Sequence, residues 1–362
     1  MSKRIDWIDV ARGIGIIMIV VTHSLDIFNR SFLSAFFFAI NVPIFFILSG
    51  YLYREKTFKN IFSSGVKNLL SPYLATVVII GLIELIGHNF FPNWIRPINV
   101  LSYILSTIYG LGTNTLLPGV NITIPAIGAI WFLPAMFIGN LLFNLIFKID
   151  KKLGKKNLFL LSCSLILAII GFFLGKKIQL PWSFDAVLIS QVFYCFGYLI
   201  KERNLVENGH FTLTLLSLLL WLVSAKSGFF YMNVSHADAP IFALLGAIGG
   251  SYFVMRISCL LLRYWHKWPI MQKFGKDSLV MLCFHLIDIN AFSVGPNILS
   301  WIVLLTGNHY LGVLGMLVYR LLIILCASVI VPYIPIVRSF FFPRKFPFKV
   351  KDKRSLVKNS LR

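Results

Sequence analysis

The chain has 362 residues, of which 58% are hydrophobic, 15% aromatic and only 13% charged, which excludes an ordinary soluble domain and indicates a polytopic membrane protein. The net charge of +21 does not read as a nucleic-acid surface, because the basic residues occupy alternate loops rather than one face or arm. The five cysteines (Cys163, Cys195, Cys259, Cys283 and Cys326) are isolated in apolar runs with neither metal-ligand spacing nor a disulfide framework, and all five read as packing residues.

Spans are expected near 8–28, 32–53, 68–87, 126–147, 157–175, 184–200, 211–229, 239–262, 278–294 and 309–334. The first holds Arg12 and is followed by no small-residue cleavage site, so it reads as a retained anchor. Ten spans place both termini on one side. The loops of that side hold 26 of the 34 lysines and arginines, the opposite loops hold 5 and the spans hold 3, so the termini are expected in the cytoplasm. Short apolar pieces at Val100 to Leu111 and Ile298 to Leu305 lie on the other side and are too short to cross, as expected of re-entrant or interfacial helices roofing a cavity. The expected fold is therefore an all-α integral membrane protein of about ten transmembrane helices. Residues 1–337 are read as one polytopic domain and 338–362 as a basic cytoplasmic tail placed to touch acidic head groups.

Charges inside hydrocarbon cost about 3 kcal/mol or more, so polar residues within spans mark candidate function. In the first span Arg12 and His23 are eleven residues apart, a rotation within about 20° of three full turns and a rise of roughly 16 Å, so they share one face at two depths. Asp9 precedes Arg12 by one turn and is placed to pair with it. Asp26 follows His23 by three residues and is expected to fix its tautomer. His285 lies about seven residues into the ninth span, at a depth that differs from that of His23 by several ångströms; an active-site role and an interhelical hydrogen bond both stand. Glu84 and Asp288 have no partner that the sequence names, and Arg256 and Arg320 are read as snorkelling to the cytoplasmic face. Ser49-Gly50-Tyr51 reads as a close backbone approach at the end of the second span. Trp131 reads as an interfacial belt residue or a stacking platform for a sugar ring. The remaining histidines (His88, His210, His236, His266 and His309) form no ligand cluster, and no metal is expected.

The run Ile5-Asp6-Trp7-Ile8-Asp9-Val10-Ala11-Arg12-Gly13, the ten residues between Arg12 and His23, and the stretch Phe45-Phe46-Ile47-Leu48-Ser49-Gly50-Tyr51 resemble the acyltransferase 3 family of membrane acyltransferases. Trp131-Phe132-Leu133-Pro134 and Ser278 through His285 extend the resemblance over nearly the whole chain, which is most similar to the fucose 4-O-acetylase-like branch. The resemblance implies transfer of an acyl group, usually acetyl from cytoplasmic acetyl-CoA, to a hydroxyl of a surface polysaccharide unit or other extracytoplasmic acceptor. The family's arginine and histidine pair falls on Arg12 and His23, and its later histidine on His285. Its basic patch before Pro-Tyr is matched incompletely by Lys67-Asn68-Leu69-Leu70-Ser71-Pro72-Tyr73, with Asn68 where a basic residue is expected.

On that resemblance, Arg12 with Asp9, Lys67 and Tyr73 is assigned to the donor, whose phosphates suit charge-assisted donors, helped by Lys56 and Lys59. His23, oriented by Asp26 and aided by His285, is assigned the chemistry, as general base or as transient acyl carrier. Ser49, Tyr51 and Trp131 are assigned to the acceptor. The partners so implied are acetyl-CoA, a carbohydrate acceptor and membrane lipids in a bacterial-type plasma membrane. The alternative is a secondary transporter or glycolipid translocator, for which repeated halves and paired broken spans are the expected signs; neither is evident.

Overall fold

The computed structural model describes residues 5–116 and 122–348; Lys3, Arg4 and positions 349–362 of the basic tail lie outside the described residues. Among the described residues the structure is mostly helical (77%) with no closed sheet, and eight helices are long and apolar enough to cross a membrane. In order, the chain forms α1 (Asp6–Ser24), α2 (Phe32–Phe38), α3 (Pro43–Tyr51), α4 (Phe58–Phe90) and the short α5 (Val100–Tyr109). It continues through α6 (Ala129–Leu153), α7 (Leu158–Gly175), α8 (Pro181–Glu202), α9 (Leu205–Asn208) and α10 (Phe211–Ser227). The last part holds α11 (Pro240–Trp265), α12 (Pro269–Lys276), α13 (Ser278–Ala291), α14 (Val294–Thr306), α15 (His309–Tyr333) and α16 (Val337–Phe341).

Each expected span has its helix. Those at 211–229 and 278–294 are the shorter ones, α10 with 17 residues and α13 with 14. α13 stops early because Phe292 is extended and pairs with Ile95. Arg96 N–H donates to the Ala291 carbonyl at 3.0 Å and Ser293 N–H to the Trp94 carbonyl at 2.9 Å, which satisfies the backbone outside the helix. The short pieces at 100–111 and 298–305 are α5 and α14. α5 lies beside the middle of α4, where Tyr73 donates to the Thr107 carbonyl at 2.6 Å and Tyr103 to the Val77 carbonyl at 2.6 Å.

Local breaks follow from proline. The second expected span is interrupted between α2 and α3, where Pro43 has no N–H to continue the ladder and opens the new helix instead. In α4, Pro72 removes the donor that would reach back to residue 68, and the turn Val66–Leu70 widens into a π turn.

α1 and α8 are the most interior of the eight, with 72% and 78% of their apolar windows buried, whereas α7 and α15 are peripheral at 28% each. Close approach is made by glycine. A Cβ at Gly275 of α12 would collide with the Asp9 carbonyl, so α12 rests directly on the Asp9 end of α1. Likewise Gly50 of α3 faces the Tyr194 carbonyl and Gly197 of α8 faces the Ile47 carbonyl, so these two helices cross backbone to backbone. The described residues after 337 pack on the bundle: Phe341 is buried and its ring lies 5.3 Å from that of Phe284.

Candidate active site

α1 supplies the axis of the site. It is helical without a break from Asp6 to Ser24, so Arg12 and His23 do share a face. Asp9 is 2% exposed, sealed by α12. Between the two, Gly15 leaves a notch against which the Phe45 ring lies, 3.1 Å from where a Cβ would be.

His23 Nδ1 lies 3.1 Å from the carbonyl oxygen of Ile19, one turn back on the same helix. A carbonyl only accepts, so Nδ1 must carry the proton, and Nε2 is left with the lone pair. The tautomer is thus set by the backbone of α1, whereas Asp26 was expected to set it. Asp26 does not continue the helix: α1 ends at Ser24, and Asp26 has φ +47 in a separate turn (Asp26–Phe28). Its carboxylate lines the opening beside His23 instead.

His285 of α13 reaches the same place. Its ring stands edge-on to that of His23, with centroids 5.5 Å apart and planes at 74°. It is fully buried, and neither ring nitrogen has a hydrogen-bond partner among the described residues. The two side chains therefore meet despite the difference in depth expected from the spans.

Three further residues converge here that the sequence did not assign. Arg320 of α15 donates through Nη1 to the His23 carbonyl and, at 3.1 Å, to Ser24 Oγ. Its Nε lies 3.7 Å from Asp288 Oδ2, and Tyr319 donates to Asp288 Oδ1 at 2.8 Å. Arg320 is therefore no snorkelling residue. It satisfies an orphan carbonyl at the C-terminal end of α1, where the helix dipole favours a cation, and is neutralised by a carboxylate one turn along α13 from His285. The sequence did hold a signal: within the expected span 309–334 Arg320 lies 11 residues from one end and 14 from the other, too deep for a side chain to reach water. Arg256 does not snorkel either; it donates to the carbonyls of Val206, Glu207 and Gly209, tying α11 to the end of α9.

Two chambers open at His23. One, of about 330 Å³, is mostly apolar and is lined by Phe45, Trp131, Phe132 and Met232 with Asn41 and Asn233. The other, of about 420 Å³, is lined by Thr22, Asp26, Asn29 and Arg30. His23, Phe38 and Tyr231 belong to both. Trp131, at 3% exposure, is thus a cavity wall rather than a belt residue.

The other expected residues lie elsewhere. Ser49 Oγ donates to Asn140 Oδ1 at 3.2 Å, and the Tyr51 hydroxyl donates to Glu207 Oε1 at 3.0 Å. Lys67 is exposed on the π turn, while the Tyr73 hydroxyl is engaged with Thr107. At Asn68 a guanidinium does appear, from another part of the chain: Arg344 Nε donates to Asn68 Oδ1 at 3.1 Å.

A family model described as an acyltransferase domain matches residues 5–337. No curated protein and no solved structure matches the chain.

Proposed function

The chain belongs to the acyltransferase 3 family and is an acyltransferase, and on that premise we propose that it moves an acetyl group from cytoplasmic acetyl-CoA to a sugar hydroxyl. The acceptor is a cell-surface or exopolysaccharide unit or its lipid-linked precursor, as in the fucose 4-O-acetylase-like branch. Ten spans with both termini in the cytoplasm, in the plasma membrane of a bacterial-type cell, direct Arg12 inward and His23 outward. The loop charges support that orientation.

The observation that carries the reading is His23. Its Nδ1 faces the Ile19 carbonyl, its Nε2 keeps a lone pair, and its ring lies where the two chambers meet. As general base, Nε2 removes the proton of the acceptor hydroxyl while the oxygen attacks the thioester carbonyl; the new C–O bond forms, the C–S bond breaks, and the CoA sulfur leaves and takes up the proton. His285, beside it with both nitrogens unengaged, donates to the carbonyl oxygen as negative charge develops there. Arg12, with Lys67 on the π turn of α4 and Arg344 against Asn68 of the same turn, binds the donor's phosphates. Trp131 walls the chamber in which the acyl group is held.

The test is turnover of labelled acetyl-CoA by membranes that contain the chain and the native glycan. Wild-type membranes are expected to label the glycan, and His23→Ala membranes with the same amount of folded protein are expected not to. Normal labelling by His23→Ala would overturn the mechanism, and no dependence on acetyl-CoA would overturn the donor.

A further inference from the structure

The two chambers at His23 differ in what they can hold. A sugar brings several hydroxyls, and each one desolvated without a partner weakens binding. The apolar chamber offers few polar groups to meet them. An acyl thioester has no hydrogen-bond donor of its own, and it is hydrolysed if water reaches it, so a dry apolar wall suits it.

The vestibule has the opposite character. α1 ends at Ser24, and the chain that follows contributes Asp26, Asn29 and Arg30 to its lining. Phe38 and Tyr231 make the lining partly aromatic. Tyr231 stacks on Phe229, with centroids 5.2 Å apart and planes at 2°, and meets Phe38 edge-on at 5.4 Å. Tyr231 is held by the hairpin Phe230–Tyr231 and His236–Ala237. Burial, and after it the Asp238 carboxylate, raises the Tyr231 phenol above its ordinary value, so at neutral pH the hydroxyl remains a donor. Polar and aromatic side chains lining one chamber match a sugar, whose hydroxyl rim is polar and whose C–H face is apolar.

We infer that the two substrates are divided across His23: the vestibule is the acceptor subsite for a polyhydroxylated sugar, held by Asn29 and Arg30 and faced by Tyr231, and the apolar chamber holds the acyl group. This rests on the acetyl-transfer reading of the site. Asn29, Arg30 and Tyr231 are then the acceptor-binding residues, and Ala129, on the apolar wall, limits acyl length.

Transfer is measured in membranes with labelled acetyl-CoA or butyryl-CoA as donor and a series of methyl hexosides as acceptors. Asn29→Ala and Arg30→Ala are each expected to raise the acceptor KM about fivefold, the loss of roughly one hydrogen bond, with the acetyl-CoA KM unchanged; Arg30→Lys recovers part of the loss. Ala129→Leu is expected to lower kcat/KM for butyryl-CoA about tenfold more than for acetyl-CoA, with the acceptor KM unchanged. Should Ala129→Leu fail to accumulate in the membrane, Ala129→Val carries the same expectation at smaller size. Vestibule variants that move the donor KM and leave the acceptor KM in place, or an Ala129 variant that affects both donors equally, would overturn the division. A wild-type protein that turns over no acetyl-CoA with either the hexosides or the native glycan overturns the acetyl-transfer reading instead, so the two failures are distinct.

Discussion

The imidazoles of His23 and His285 meet edge to face with ring centroids 5.5 Å apart, one on the first helix and the other on the thirteenth. A ring serving only as packing is replaceable by another ring, and a ring serving through its nitrogens is not. His285→Phe is therefore expected to accumulate normally and to lose about tenfold or more in kcat, measured as initial rates of acetyl transfer. His23→Ala is expected to lose about 10²- to 10⁴-fold, the range of a general base, with the acetyl-CoA KM little changed. Wild-type rates in His285→Phe would assign that ring to packing alone.

Asp288 and Arg320 form a buried ion pair, each 5% exposed. Removing one partner strands the other charge, at a cost of about 3–5 kcal/mol. Asp288→Ala and Arg320→Ala should each lower the thermal midpoint of the detergent-extracted protein. The double variant should be less destabilised than the sum of the two, which a double-mutant cycle reads directly. Additive effects would show that the pair is not coupled.

Gly50 and Gly197 let α3 and α8 touch through their backbones. Gly50→Ala or Gly197→Ala forces these helices apart, an overpacking cost of about 1–3 kcal/mol. The expected result is a lower thermal midpoint and less folded protein. The two substitutions together should be sub-additive, because the first already opens the crossing. A midpoint unchanged in both single variants would contradict the contact.

Arg344 on Asn68 adds a guanidinium beside Lys67. Arg344→Ala is expected to raise the acetyl-CoA KM severalfold and to flatten its dependence on ionic strength, with kcat unchanged, since exposed charges act through screened attraction. Asn68→Arg should offset the loss in the same assay. A KM insensitive to both changes would remove this turn from the donor site.

Much of the architecture is legible along the chain because it depends on periodicity and on the cost of charge in lipid, both local properties. Eight of the ten expected spans hold helices long and apolar enough to cross a membrane, the short α5 and α14 stand at the short apolar runs, and 3.6-residue geometry alone puts Arg12 and His23 on one face. The expected bounds failed where the chain bends: α1 ends before Asp26, which carries that carboxylate into a separate turn, and α13 ends at Ala291, three residues short of the expected span.

Which helix faces meet is not a local property. The pairing of His285 with His23, the hold of Arg320 on the end of α1, and the approach of Arg344 to Asn68 join residues far apart in sequence. They follow from how the helices pack as a bundle, in which glycines set the closest crossings, α1 on α12 and α3 on α8, where an added Cβ would collide. The sequence by itself determined the helices and the one polar face of α1. Only the tertiary structure decided what that face meets, because a buried charge or imidazole takes its partner from whichever helix packing brings within reach.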